Sequence, residues 1–141
     1  MERFVFYDFE TSGAKPAFDQ ALQFAAIVTD ESFNELDRME LRCQLSPHIL
    51  PSPIALHVTG VRPGQLLNSN LVNQFEFAQR LQSFIKIWAP AVWIGYNSIQ
   101  FDEEVMRHLF YQNLQPTIHA TQRWGNSRLD AMKLSLIHIS E

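Results

Sequence analysis

Four stretches of the chain have the residue pattern of β-strands. Phe4–Thr11 begins as an apolar, aromatic and β-branched run, and Leu22–Thr29 is mostly apolar, which is typical of buried strands. In Leu36–Leu45 polar and apolar residues alternate, which predicts a strand with one face in water. Ala91–Gly95 is a short apolar run. The first three stretches follow one another closely and predict an antiparallel meander.

Helical periodicity marks two further segments. The first is an amphipathic helix of about five turns that Pro90 ends, and its apolar residues recur every three or four positions. Those residues, predicted to lie in the core, are Leu71, Phe75, Ala78, Leu81, Ile85 and Trp88. The second helix runs from Phe101 to about Asn113. On this helix Glu103 and Glu104 precede Arg107 and His108 by four positions, which predicts a solvated face.

One shorter feature completes the pattern. Ile54–Val58 predicts a helical turn between the third strand and the long helix. The resulting order, three strands, helix, strand, helix, predicts an α/β domain with a mixed sheet.

Composition and charge limit the class of protein. A length of 141 residues fits one domain, and 46% hydrophobic residues with eleven Phe are enough for a core. The formal net charge of −4 gives no basic surface, so a nucleic-acid partner would require metal ions or a local basic patch. The single Cys43 excludes an internal disulfide. No segment predicts a membrane span or a signal peptide, and we expect a cytoplasmic domain without a membrane partner.

Two acids stand inside the first strand. Asp8 and Glu10 are separated by one residue, so on a strand they share one face, roughly 6–7 Å apart. Neighbouring carboxylates at the end of a buried strand repel each other and lose hydration, and a hard divalent cation between them removes both penalties. The same residues also fit a strand that ends at Tyr7, with both acids solvated in a loop. From this stretch alone both interpretations stand.

Asp102 is a third acid with a comparable position. It follows the strand Ala91–Gly95 and falls in the first turn of the next helix, where the carboxyl edge of a parallel sheet is expected. If the two strands are neighbours, its carboxylate converges with those of Asp8 and Glu10. Convergent carboxylates fit two-metal catalysis, for which phosphodiester hydrolysis is the natural chemistry.

These residues resemble a known family. Asp8-Phe9-Glu10-Thr11 resembles the first motif of the DEDD (DnaQ-like) 3′→5′ exonucleases, and the segment from Asn97 to Asp102 resembles their second, of the form Asn, spacer, Phe, Asp. The similarity extends from residue 4 to about residue 132 and points to the single-strand-specific branch that acts in bacterial DNA repair. It implies a ribonuclease H-like mixed sheet with flanking helices.

The resemblance implies a metal site and a substrate site. Asp8 would bridge two Mg²⁺ (or Mn²⁺) ions, Glu10 would bind the ion on the nucleophile side, and Asp102 would help to hold the second ion. The partner would be the 3′ end of single-stranded DNA, and a single-strand DNA-binding protein would be reached through domains outside this sequence.

The implied contacts to the terminal nucleotide involve five residues. Glu10 would touch the nucleotide, Thr11 would lie under it, and Asn97 would brace the site. Phe101 would pack beneath the site, and Arg107 matches a position that meets the DNA strand in the family.

One departure from the family is large. The third motif, a His general base followed five residues later by a fourth metal-binding Asp, matches no position in the sequence. Asp130 matches a family acid outside the catalytic four. We therefore predict that residues 1–133 are the N-terminal part of an exonuclease domain, incomplete at its C-terminus, and that residues 134–141 are a non-native tail. The chain by itself is then expected to be inactive or nearly so.

Alternative functions remain open from the sequence. The same two motifs occur in RNA exonucleases and in polymerase proofreading subunits, and a fold of this kind also serves as a non-catalytic nucleic-acid-binding module. Arg123 and Trp124 are weaker candidates for contacts to a single strand. His48, His57, His108 and His119 are predicted to have no direct role.

Overall fold

The computed structural model describes residues 2–46, 49, 52–59 and 70–139, without the side chains of residues 58, 59 and 137–139. His48 lies outside the described residues. The elements in chain order are β1 (Phe4–Thr11), β2 (Ala21–Thr29), β3 (Glu35–Arg42), α1 (Pro53–Thr59), α2 (Gln74–Trp88), β4 (Val92–Gly95), α3 (Asp102–Gln112), a 3-10 turn (Ala120–Gln122), β5 (Ser127–Asp130) and α4 (Ala131–Ile139).

The strands form one mixed sheet in the order β3-β2-β1-β4-β5. β1, β2 and β3 are an antiparallel meander, whereas β4 pairs in parallel with β1 and β5 pairs in parallel with β4. The predicted α/β class and the meander are therefore confirmed. β5 and α4 were not predicted from the sequence. Because β1, β4 and β5 run in the same direction, their carboxyl ends meet at one edge of the sheet.

One face of the sheet is covered by α2 and α3. Val5, Tyr7 and Phe9 alternate along β1 toward this face and pack with Phe24 of β2 and Trp93 of β4. The residues that complete the core from the two helices are Phe77, Ala78, Leu81, Ile85, Trp88, Val105, Met106, Leu109 and Phe110. The side chains at the alternate positions of β1 are half-buried or exposed, and these are Phe4, Phe6, Asp8 and Glu10. Side-chain alternation in β1 thus separates an apolar face from the face that carries Asp8 and Glu10.

The core stripe of α2 differs from the prediction at its first turns. Phe75 is 51% exposed, and Phe77 is fully buried in its place. The physical reason is the start of the helix: Asn73 is the N-cap, and its side chain accepts a hydrogen bond from the Glu76 N–H at 2.8 Å. Leu71 therefore precedes the helix, and the apolar face is set by the residues that follow the cap.

β3 is an edge strand and ends earlier than predicted, at Arg42. Its alternation is confirmed, because Met39 is buried while Glu40 and Arg42 are exposed. Beyond the strand, the Gln20 side chain donates to the carbonyl of Gln44 at 2.7 Å and accepts from the Ser46 N–H at 2.8 Å. Because of these hydrogen bonds, the chain after Arg42 leaves the pairing of β3 with β2. Across the described ranges, no helix has the length and apolarity needed to cross a membrane.

Candidate active site

β1 continues through both of its acids. The strand pairs with β2 from Phe4 to Thr11, with a register shift between Glu10 and Thr11, so the interpretation in which it ends at Tyr7 is wrong. Asp8 is exposed and Glu10 is half-buried, on the face opposite Tyr7 and Phe9. The two carboxylates therefore lie side by side at the carboxyl end of a central strand.

Asp102 reaches the same edge from a different element. β4 ends at Gly95 beside β1, and a short turn leads into α3, whose first residue is Asp102. Only 3% of Asp102 is exposed, and its Oδ2 atom has no hydrogen-bond partner among the described residues. A buried carboxylate oxygen without a donor is costly, which makes it a candidate for a cation or a proton.

The three acids affect one another electrostatically. Burial raises the pKa of Asp102 to about 8, and the negative charges of Asp8, Glu103, Glu10 and Asp130 add to the rise. Burial also raises the pKa of Asp8, against the opposing effect of the Phe9 N–H, and burial together with the charge of Asp8 raises the pKa of Glu10. A positive charge at this edge would relieve all three.

The donor set fits a hard cation in chemistry but does not form a closed coordination sphere. Asp8, Glu10 and Asp102 supply carboxylate oxygens, the ligands that Mg²⁺ and Mn²⁺ prefer, and Asp102 Oδ2 is unpaired. Within the part of the chain that the structure describes, however, no three His, Cys, Asp or Glu side chains are arranged so as to hold a metal ion. A metal ion here would need adjustment of these side chains or further ligands.

Asp130 holds the turn that leads to Asp102. Its Oδ1 accepts from the N–H of Asn97 at 2.9 Å and of Met132 at 3.0 Å, and its Oδ2 accepts from the N–H of Ile99 at 3.3 Å. Asn97 has a positive φ of 54°, a conformation that Asn tolerates better than most residues. The structure places Asn97 in this turn, with its buried Oδ1 unpartnered among the described residues, and its role as a brace stays a prediction.

A cavity adjoins Glu10. It has a volume of about 380 Å³ and is lined by residues of β1, the loop after it, α1 and the turn before α3. Three of the predicted substrate residues, Glu10, Thr11 and Phe101, meet in its wall. The Thr11 hydroxyl donates to the carbonyl of Gly13 at 2.6 Å, which fixes the start of the loop. Ile54 and Ala55 of α1 also line the cavity.

Arg107 does not line this cavity. Its guanidinium binds the Glu104 carboxylate, with Nη2 at 2.6 Å from Oε2 and Nε at 3.4 Å from Oε1. The pair is half-buried on α3. Contact with a DNA strand stays a prediction for Arg107.

Glu103 overturns part of the prediction for α3. Expected on the solvated face, it is only 8% exposed. Its Oε1 accepts from the Tyr7 hydroxyl at 3.0 Å, and its Oε2 accepts from the Thr121 hydroxyl at 2.7 Å. The spacing of Glu103 and Arg107 was compatible with a surface pair, but Arg107 binds Glu104. Tyr7 was the signal that the sequence offered for a buried Glu103. A tyrosine in a core strand needs a hydrogen-bond partner for its hydroxyl, and Glu103 is that partner.

Trp124 lies away from the acids. It precedes β5, at the edge of the sheet opposite the carboxyl ends of β4 and β5, and the Lys86 Nζ atom is 5.9 Å from its ring centroid. His57 and His119 are exposed and His108 is half-buried. The structure therefore brings together Asp8, Glu10 and Asp102 and does not add Trp124 to them.

Comparisons with known proteins agree with this geometry. A family model described as Exonuclease matches residues 5–140. Exodeoxyribonuclease I of Buchnera aphidicola subsp. Baizongia pistaciae is 40% identical over 133 residues, and the Escherichia coli K12 protein of the same name is 37% identical over 130. These alignments cover 93% and 92% of this chain and 27% of each relative.

Solved structures give the same result. E. coli exonuclease I with a dT13 oligonucleotide has a TM-score of 0.89 at 34% identity, over 99% of this chain and 30% of that chain. Its zinc-bound complex with single-stranded DNA and its complex with the SSB C-terminus each have a TM-score of 0.90 at 33% identity, with the same coverage. The ribonuclease H-like fold is confirmed, and the chain spans about 27% of the length of the curated relatives that it matches.

Proposed function

The chain belongs to the exonuclease family, whose model matches residues 5–140, and from this premise we propose that it forms the N-terminal part of an exodeoxyribonuclease I-like enzyme. The enzyme hydrolyses single-stranded DNA from the 3′ end to mononucleotides and acts in DNA repair. One observation carries the proposal: carboxylates from β1 and from the start of α3 lie at one sheet edge, beside the cavity that contains Glu10, Thr11 and Phe101.

The metal is a divalent ion, and we propose Mg²⁺ or Mn²⁺, two per complete site. A zinc-bound form of E. coli exonuclease I supports a divalent metal in the family. When bound, the ions act as Lewis acids that activate water and stabilise the leaving oxygen. Asp8, Glu10 and Asp102 would hold them, and the unpaired Oδ2 of Asp102 is the oxygen most in need of such a partner.

The chain's own residues orient the substrate. The terminal nucleotide would occupy the cavity of about 380 Å³, with Phe101 and Ile54 as apolar walls and Thr11 at its base. This position puts the last phosphodiester beside Asp8 and Glu10. Water adds to its phosphorus, the bond from phosphorus to the 3′ oxygen of the penultimate nucleotide breaks, and a mononucleotide leaves.

Given the charge of the molecule, bound metal ions would strengthen substrate binding as well as supply chemistry. With a formal net charge of −4 and a group of acids at the site, this surface repels phosphates. Bound divalent ions reverse the local sign. Arg107, already held by Glu104, is the cation on α3 proposed to meet the strand farther from the terminus.

The partners proposed are the 3′ end of single-stranded DNA and a single-strand DNA-binding protein. Complexes of E. coli exonuclease I with a dT13 oligonucleotide and with the SSB C-terminus support both. The second partner would be bound outside residues 1–133. A cytoplasmic location is proposed with the DNA-processing role.

We also propose that residues 1–133 belong to the exonuclease domain and that residues 134–141 do not. α4 begins at Ala131 and continues into this last segment. The general base and a fourth metal-binding Asp match no residue of the sequence, so the chain alone should bind metal weakly and hydrolyse DNA little or not at all.

The test combines metal binding and hydrolysis. Mn²⁺ should raise the melting temperature of the wild-type chain, and Asp8→Asn should abolish the rise, while the matched control Asp37→Asn on edge strand β3 should keep it. Absence of any Mg²⁺- or Mn²⁺-dependent stabilisation would favour a non-catalytic binding module. Robust, EDTA-sensitive degradation by the chain alone, lost in Asp8→Ala, would contradict the proposed inactivity.

The nucleic-acid class is tested separately. The protein containing this domain should degrade 3′-labelled single-stranded DNA faster than RNA of the same sequence and faster than the paired 3′ end of duplex DNA. Preference for RNA would favour an RNA exonuclease, and preference for a mispaired duplex end would favour a proofreading role.

A further inference from the structure

A hydrogen bond joins the two elements that carry the acids, one residue away from each acid. Tyr7 directly precedes Asp8 in β1, and Glu103 directly follows Asp102 in α3. The Tyr7 hydroxyl donates to Glu103 Oε1 at 3.0 Å, and the bond is buried. We propose, on the basis of the proposed function, that Tyr7 and Glu103 are positioning residues that set the separation between the carboxylates of β1 and Asp102.

Glu103 is fixed from three directions. Its second oxygen accepts from the Thr121 hydroxyl at 2.7 Å, and its backbone N–H donates to the carbonyl of Ser98 at 2.7 Å. Each carboxylate oxygen of Glu103 therefore has a hydrogen-bond donor, which fixes the orientation of the side chain. The carboxylate of Glu103 is held by two hydroxyls and its backbone N–H is held by Ser98. The start of α3 therefore cannot rotate or slide along β1 without breaking a buried hydrogen bond.

Packing alone does not account for these polar groups. The ring of Tyr7 already contacts Trp93, Phe9 and Phe24, contacts that a phenylalanine would also make. A buried carboxylate costs desolvation, and the negative charge of Glu103 lies near that of Asp102. An apolar contact would not fix the orientation of α3 relative to β1, whereas the Tyr7–Glu103 hydrogen bond fixes both a distance and an angle. Residues that hydrogen-bond to metal ligands have this orienting effect in other metal sites.

The first test removes the bond without changing charge. Tyr7→Phe keeps the ring and deletes the hydroxyl, so it should raise the Mn²⁺ dissociation constant by roughly 10-fold, measured by electron paramagnetic resonance. The matched control is Tyr111→Phe, which deletes the hydroxyl of a tyrosine that is 70% exposed on α3. The control should stay within about twofold of wild type.

A second variant approaches Glu103 from its other side. Thr121→Val removes the second hydroxyl at nearly constant volume and should weaken Mn²⁺ binding in the same direction. If the two bonds act on one carboxylate, the factor by which the Mn²⁺ dissociation constant rises in the double variant should be smaller than the product of the factors in the two single variants. Glu103→Gln, which still accepts from Tyr7, should retain more affinity than Glu103→Ala.

The outcomes separate positioning from stability and from the proposed function. A merely structural bond would lower the urea midpoint of Tyr7→Phe while leaving its Mn²⁺ affinity within about twofold of wild type, and this result would overturn the inference. Wild-type protein that binds no Mn²⁺ would overturn the proposed function and the inference with it. Wild-type binding with a selective loss in Tyr7→Phe and Thr121→Val supports both.

Discussion

The carboxylate of Asp130 at the end of β5 accepts a hydrogen bond from the backbone N–H of Asn97 at 2.9 Å. The same side chain accepts from the N–H groups of Ile99 and Met132, so one buried acid joins β5, the turn after β4 and the start of α4. Asp130 therefore supports the turn that leads to Asp102.

Removal of this support should be strongly destabilising. Asp130→Ala leaves three N–H groups without their acceptor, and we expect a loss of about 3 kcal/mol or more in the free energy of unfolding. Asp130→Asn keeps one acceptor and should lose less. Urea denaturation measures both, with the exposed Lys133→Ala as a control within about 0.5 kcal/mol of wild type. If Asp130→Ala has nearly the wild-type free energy of unfolding, the turn is stable without these hydrogen bonds.

Stability of the metal-free protein should fall as the pH rises. The pKa of Asp102 is raised from its ordinary 3.8 to about 8, so the folded state keeps a proton that the unfolded state has lost. This contribution is complete below about pH 4 and is lost progressively up to about pH 8. Urea midpoints across this range should show the decline, and Asp102→Asn should flatten it. An unchanged slope in Asp102→Asn would assign the decline to other groups.

Metal binding should show the opposite dependence on pH. A cation requires ionised Asp102, so Mn²⁺ affinity should increase between about pH 6 and about pH 8 and then level off. Calorimetry in two buffers of different ionisation enthalpy should detect the released proton. Affinity that is flat over this range would mean that Asp102 is not a ligand, or that it is already ionised in the metal-free protein.

The thiol of Cys43 should be inert in the folded protein. Cys43 is fully buried, and burial raises its pKa to about 12, although the Gln20 amide, 3.2 Å from Sγ, lowers it in part. A thiol reagent should label Cys43 only after unfolding in urea. The variant Ser83→Cys, at an exposed position of α2, provides the fast-reacting control. Rapid labelling of native wild type would show that β3 and its neighbours open readily.

The sequence predicted those elements that have a periodic pattern or an apolar run. α2 and α3 are periodic, β3 alternates, and β1, β2 and β4 contain apolar runs. β5 has only four residues, Ser127 to Asp130, and its strand character comes from pairing with β4, which no local pattern records.

The site was predictable in its acids and not in its supports. Asp8 and Glu10 share a strand face, and Asp102 follows a neighbouring strand, so periodicity and topology predicted that they could lie close together. Their roles as metal ligands came from the family resemblance and stay a prediction. Glu103 was misplaced because its spacing to Arg107 is the same whether it faces solvent or the core. The role of Asp130 depends on backbone N–H groups of a turn, and side-chain identity does not encode these.

The bond between Tyr7 and Glu103 joins residues 96 positions apart in the chain. The β1-β2-β3 meander closes over short loops, whereas the pairing of β1 with β4 and this bond must wait for a large loop to close. We therefore expect the candidate site to assemble late in folding. Ligands that bind only the finished site, metal ions included, should slow unfolding while leaving the refolding rate nearly unchanged.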